Sequence, residues 1–107
     1  MSENKYEMIL CIVNAGYSEN VMDAAKKAGT GGGTVIRARG TANKEAEEFF
    51  HITIQPEKEI VMMVVPAEIK DNVLRAIYDK TGLGTEGGGI AFSMPVSKAV
   101  GLSYRKE

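Results

Sequence analysis

Two glycine clusters give the first chemical hint in this sequence. The segment Gly82-Leu-Gly84-Thr-Glu-Gly87-Gly88-Gly89 is mostly backbone with few side chains. An anion can approach such a run closely, and successive N–H groups can curl into a concave anion nest. The segment spells G-x-G-x-x-G, but it follows a helical pattern and precedes a strand pattern. A dinucleotide fingerprint needs the reverse order, and no Gly-Lys-Ser/Thr supplies a Walker-type loop. A turn without a ligand is the competing reading of the same residues. The second cluster, Gly31-Gly-Gly33, reads as the close approach of a connector to a neighbouring element. Arg37 and Arg39 lie two apart and share one face of a strand. Their forked guanidinium groups suit phosphate or carboxylate; the alternative is a solvated strand end with surface ion pairs.

The remaining reactive types offer little. His51 is the only histidine and Cys11 the only cysteine, so no internal disulfide and no Cys/His zinc set can form. A catalytic histidine needs an oriented partner, and His51 has none in sequence. Cys11 sits within an apolar run and reads as a buried, inert thiol. Met62 and Met63 read as core residues. Lys44 with Glu45-Ala-Glu-Glu48 reads as a solvated loop or a partner-facing finger. Thirteen basic against fourteen acidic side chains give a net charge of -1, which argues against nucleic acid as the main partner.

These residues need elements to position them. Met8–Val13 is a continuous apolar run before Asn14-Ala-Gly16, the pattern of a central strand. Ser18 reads as the N-cap of a helix over 19–28, with Val21, Ala24, Ala25 and Ala28 as its apolar stripe and Gly29 as its stop. Thr34–Arg39 alternates as a strand. Residues 40–48 read as a loop, and Phe49–Ile54 as a further strand interrupted at Pro56. Glu59–Val65 then continues as a buried strand, ended by Pro66. Pro66 opens a second helix to about Lys80, with Ile69, Val73, Leu74 and Ile77 on one face. Ile90–Met94 forms a last strand, Pro95–Lys98 turns, and residues 99–102 add a short edge strand.

The order is β-α-β-β-α-β, an α+β, ferredoxin-like plan with an antiparallel sheet, in one domain over residues 1–107. Two helices cover one sheet face only. In the first strand Met8, Leu10 and Ile12 alternate with Ile9, Cys11 and Val13, and neither set is polar. Self-association through the open face is therefore expected. Met1–Glu7 is polar and acidic, unlike a secretory signal, and no apolar run reaches membrane-spanning length. A cytoplasmic protein without membrane insertion is expected.

In this order and spacing the residues resemble the PII nitrogen-regulatory signal proteins and their PII-like relatives, across nearly all of residues 6–102. The carriers are Gly33-Thr34-Val35 entering a strand, Arg39-Gly40 at the mouth of a loop, Glu59–Pro66 leading into a helix, and the glycine loop before Ile90-Ala-Phe-Ser-Met-Pro-Val96. The resemblance implies a homotrimer with its sheets facing inward. It also implies that adenine nucleotides (ATP, ADP or AMP) bind in clefts between subunits. Residues 40–49 would be the counterpart of the signalling T-loop, and 82–89 that of the nucleotide-cradling B-loop. Thr34, Arg39, Gly40, Val64, Gly87, Gly88 and Gly89 match the family's nucleotide-contact positions, with Arg37, Lys58, Arg105 or Lys106 as candidate compensating cations. The implied role is regulation, without enzymatic activity, of a membrane transporter or metabolic enzyme in response to the effector.

The chain departs from the family pattern in places. Gly40-Thr-Ala-Asn-Lys44 stands where the family has Gly-Phe-Gly-Arg-Gln, and the shorter loop has no tyrosine. Glu86-Gly-Gly-Gly89 replaces Gly-Asp-Gly-Lys, and the family's paired C-terminal arginines fall near Gly101 and Ser103. A less charged nucleotide or another small anion therefore stays open as the effector. Two other readings share the architecture. One is a trimeric divalent-cation-tolerance-like interaction protein. The other is a small acylphosphatase-type enzyme, for which the Gly-x-x-Gly-x-x-Arg cradle after the first strand is missing.

Overall fold

The computed structural model describes residues 5–41, 57–82 and 84–102. The strand expected over 49–54, His51, the Lys44–Glu48 run and most of the 40–49 loop lie outside the described residues.

The elements are β1 (Tyr6–Asn14), α1 (Ser18–Lys27), β2 (Thr34–Arg39), β3 (Glu57–Pro66), a 3-10 turn (Ala67–Ile69), α2 (Lys70–Thr81) and β4 (Ile90–Val96). The four strands form one antiparallel sheet in the order β2-β3-β1-β4. With the two helices on one face, this is the expected α+β ferredoxin-like architecture.

Strand alternation sorts the apolar residues into two sets. Ile9, Cys11 and Val13 of β1, with Val61, Met63 and Val65 of β3, are buried beneath the helices. In α1, Val21, Ala24 and Ala25 recur at helical spacing and are buried; in α2, Val73 and Ile77 are. The opposite face carries the other set, in cross-strand rows. Val64, Met8 and Met94 form one row, Thr34, Met62, Leu10 and Phe92 the next, and Ile36, Ile60, Ile12 and Ile90 a third. Nothing in the described chain covers this face, and Ile36, Val64, Ile90, Phe92 and Met94 are exposed on it.

Four local expectations are corrected. Ser18 is the first helical residue of α1, and Tyr17 occupies the cap position without a side-chain cap bond. The cap comes from β3 instead: a Glu59 carboxylate oxygen accepts the N–H groups of Gly16 and Ser18, each at 3.2 Å. Pro66 ends β3 in extended conformation rather than starting the helix. β2 pairs with β3 only as far as Met62, so that side of Pro66 has no ladder partner and a missing N–H is tolerated. β4 runs on through Pro95 for the same reason, since it is an edge strand. Residues 99–102 form bends, not a strand; Gly101 sits at φ 86, which breaks an extended run.

Candidate functional site

The strand offset that leaves the end of β3 unpaired also creates a hollow. β2 begins at Thr34 opposite Met62, so β3 from Met63 to Pro66 has no partner on that side. The connector Gly31–Gly33 enters beside this gap. The resulting cavity, about 610 Å³, is bounded by this connector, Thr34, Met62, Val64, Met8 and Tyr6, with Gly101 and Leu102 from the C-terminal bends. Among the described residues no acidic or basic side chain lines it. Close approach to β3 requires glycine at position 33, where a Cβ would stand 2.9 Å from the Met62 carbonyl oxygen. The cavity thus offers thioether and aliphatic walls with the Thr34 hydroxyl, a setting for a flat, uncharged ring. Of the sequence-predicted site residues it unites Thr34 and Val64.

Arg37, Arg39 and Gly40 lie at the other end of β2. Arg37 pairs with Glu59 and Arg39 with Glu57, on the helix side of the sheet, whereas Thr34 pairs with Met62 on the open side. Five residues of strand put Thr34 and Arg39 about 16 Å apart. Both arginines are exposed.

The glycine loop packs against this same end of the sheet, where Ala38, Lys58 and Asn14 are cross-strand neighbours. Asn14 is its anchor. Its backbone N–H donates to the Gly87 carbonyl at 2.9 Å, and its Nδ2 donates to the Glu86 carbonyl at 3.1 Å. Its Oδ1 accepts the Lys58 ammonium at 2.7 Å. Gly88 is at φ 56, a left-handed conformation, with its Cβ position 2.9 Å from Asn14 Nδ2. The Tyr17 hydroxyl donates to the Glu86 carboxylate at 3.0 Å.

The N–H groups of the three consecutive glycines are engaged internally. Gly87 donates to Thr85 Oγ1 at 3.2 Å, Gly88 to the Thr85 carbonyl at 3.0 Å, and Gly89 to the Thr81 carbonyl at 2.7 Å. The concave nest that the glycine run allows is not open in this conformation.

Burial pushes the Cys11 thiol up to about 11, so it is protonated and unreactive at neutral pH. Hydrogen bonding to Glu86, with a little desolvation and the carboxylate's charge, raises the Tyr17 hydroxyl. Desolvation alone would raise the Glu59 carboxyl. Hydrogen bonds from the Ser18 hydroxyl and from the N–H groups of Gly16 and Ser18, with the charge of Arg37, outweigh it and hold the carboxyl below its usual value. Among the described residues no group of three or more His, Cys, Asp and Glu side chains is placed to hold a metal ion. None of the described helices is long and apolar enough to cross a membrane.

The family profile of the nitrogen regulatory protein P-II matches residues 6–106. The chain belongs to the P-II family. No curated protein matches it significantly. Among solved structures, the Arabidopsis thaliana PII protein bound to citrate superposes with a TM-score of 0.71 at 24% identity, covering 94% of this chain and 82% of that one. The apo form of CPII from Thiomonas intermedia K12, a nitrogen regulatory PII-like protein, gives 0.64 at 14% identity, covering 85% and 88%. At these identities the two structures speak for the fold.

Within this P-II chain, sequence reading missed Asn14, Tyr17 and Glu59 as organising residues. Their partners lie 41 to 72 positions away. The one local signal was Asn14 itself, a polar residue closing an apolar strand just before a glycine. A further cavity, about 630 Å³, lies between α2 and β4 beside Leu74, Tyr78 and Ile90. Of the predicted residues it touches only Gly89.

Proposed function

We propose that this P-II protein is a homotrimeric signal protein that senses an adenine nucleotide (ATP, ADP or AMP) between its subunits. The observation that carries this reading is a division within the protomer. The uncharged cavity with Thr34 and Val64 opens at one end of the sheet. Arg37, Arg39, Gly40 and the glycines Gly87, Gly88 and Gly89 sit at the other. One small ligand reaches both groups only if the end of one copy abuts the cavity of another. The uncovered apolar rows supply the surface that brings copies together. The base then lies against Thr34 and Val64 of one subunit, and the phosphate end faces residues 82–89 and the arginines of its neighbour.

In this reading residues 1–107 act as one domain, without enzymatic activity, in the cytoplasm. The segment from Gly40 to Phe49 is the T-loop counterpart, and residues 82–89 are the B-loop counterpart. Effector binding changes the populations of the 40–49 segment, and so its affinity for a membrane transporter or a metabolic enzyme.

Isothermal calorimetry with ATP, ADP, AMP and citrate tests the effector. Micromolar to millimolar binding of a nucleotide is expected, with Val64→Asp abolishing it in a protein whose circular dichroism and sedimentation match the parent's. Heat with citrate alone identifies a carboxylate effector. Heat with none of the four removes the nucleotide reading.

A further inference from the structure

The glycine loop is held against the β1–α1 junction by the Asn14 backbone N–H on the Gly87 carbonyl at 2.9 Å and by two side-chain contacts to Glu86. The Glu86 backbone carbonyl accepts Asn14 Nδ2 at 3.1 Å and its carboxylate accepts the Tyr17 hydroxyl at 3.0 Å. Asn14 and Tyr17 belong to a single turn, closed by the Tyr17 N–H on the Asn14 carbonyl at 3.2 Å. Both ends of Glu86 are therefore tied to the β1–α1 junction. The N–H groups of Gly87, Gly88 and Gly89 meanwhile donate to Thr85 and Thr81. An anion entering now would find the N–H groups of Gly87, Gly88 and Gly89 already engaged, and the Glu86 carboxylate would repel it.

The same turn restrains a cation. The Asn14 carboxamide has one acceptor and one donor end. The acceptor takes Lys58 Nζ at 2.7 Å while the donor takes Glu86. Flipping the amide would set its NH2 against an ammonium and its oxygen against a carbonyl, so one amide orientation serves both contacts and a flip on opening breaks both.

We propose that Asn14 and Tyr17 latch the glycine loop closed through Glu86. An anion reaches the N–H groups of Gly87–Gly89 only when this latch opens, and the same event frees the Lys58 ammonium to become the anion's counter-charge. This rests on the reading of residues 82–89 as the phosphate-facing side of the effector site. Apparent affinity is then the intrinsic affinity scaled by the open fraction.

Amide hydrogen exchange by NMR on the ligand-free, full-length protein reads the latch without any effector. Tyr17→Phe removes one tie and keeps the ring; Asn14→Ala removes the other. Exchange at Gly87–Gly89 is expected to rise about tenfold in Tyr17→Phe, the scale of one charge-assisted hydrogen bond, and about fivefold in Asn14→Ala, the scale of a neutral one. Glu86→Gln keeps an acceptor for Tyr17 and is expected to stay within about twofold of the parent. Unchanged exchange in both Tyr17→Phe and Asn14→Ala overturns the latch. Titrations with ATP and with inorganic phosphate then read the gate. Tighter binding by Tyr17→Phe, by about the factor gained in exchange, supports it. Binding of ATP by the parent that opening leaves unchanged or weakens overturns the gate alone. No binding of either anion by the parent or the variants overturns the gate, and the effector reading falls with it where ADP and AMP also give no heat.

Discussion

Thr30 buries a hydroxyl that finds no hydrogen-bond partner among the described residues, at 6% exposure, in the connector after α1. An unsatisfied buried hydroxyl costs about 1–3 kcal/mol, and an apolar group of the same shape removes that cost. Thr30→Val is therefore expected to stabilise the protein by roughly 1 kcal/mol, seen as a rise of a few degrees in Tm. Its backbone N–H keeps its bond to the Ala25 carbonyl. An unchanged or lower Tm would mean that the hydroxyl has a partner in the assembled protein. Residue types alone were legible for Cys11, whose place in an apolar run already implied a buried thiol. They were not legible for Thr30, because whether a hydroxyl finds a partner depends on what packs over it.

At the scale of elements, the helices and strands follow from periodicity, and their ends follow from neighbours. The α1 stripe of Val21, Ala24 and Ala25 is readable as a pattern. Its cap is not: Glu59 reaches it from β3, 41 residues from Ser18. Because the Glu59 carboxyl is held below the ordinary 4.5 in the folded chain, its contribution is present above that unfolded value. It is lost as pH falls through the lower folded value. Glu59→Gln is expected to cost about 0.5–1 kcal/mol at neutral pH, the low end for a helix cap because the site is only partly buried and the amide keeps one acceptor oxygen. It should also flatten the acid side of the stability curve below pH 4.5. Urea unfolding at pH 7 and pH 3 measures both, and a penalty of equal size at the two pH values would count against the carboxylate cap. Pro66 and Pro95 make the same point for strands. Proline looked like punctuation in the sequence, but each falls where a strand side is free of ladder bonds.

At the scale of the whole molecule, one sheet face is closed by helices and the other is a field of Met, Leu, Ile and Phe side chains. The two-sided apolar pattern of β1 and β3 already required cover for both faces. Phe92→Glu puts a charge on the open face, at a position 42% exposed in the lone chain, and leaves the helix-side core untouched. Sedimentation equilibrium should show trimer for the parent and monomer for the variant, with a Tm that no longer rises with protein concentration. A monomeric parent at tens of micromolar would remove the intersubunit cleft, and the proposed effector site with it.

The sequence by itself determined the strand and helix order, the apolar inventory of both sheet faces, and membership of a P-II-like pattern. These depend on local periodicity and on residue types at short spacing, which the chain carries wherever it folds. Only the tertiary structure decided that Thr34 and Val64 share a cavity while Arg37, Arg39 and the glycine loop lie at the sheet's far end. It alone decided that the N–H groups of Gly87–Gly89 are engaged and that Asn14 joins Lys58 to Glu86. Strand register and side-chain hydrogen bonds join residues tens of positions apart. Their geometry depends on how the sheet aligns, and no local window of residues holds that information.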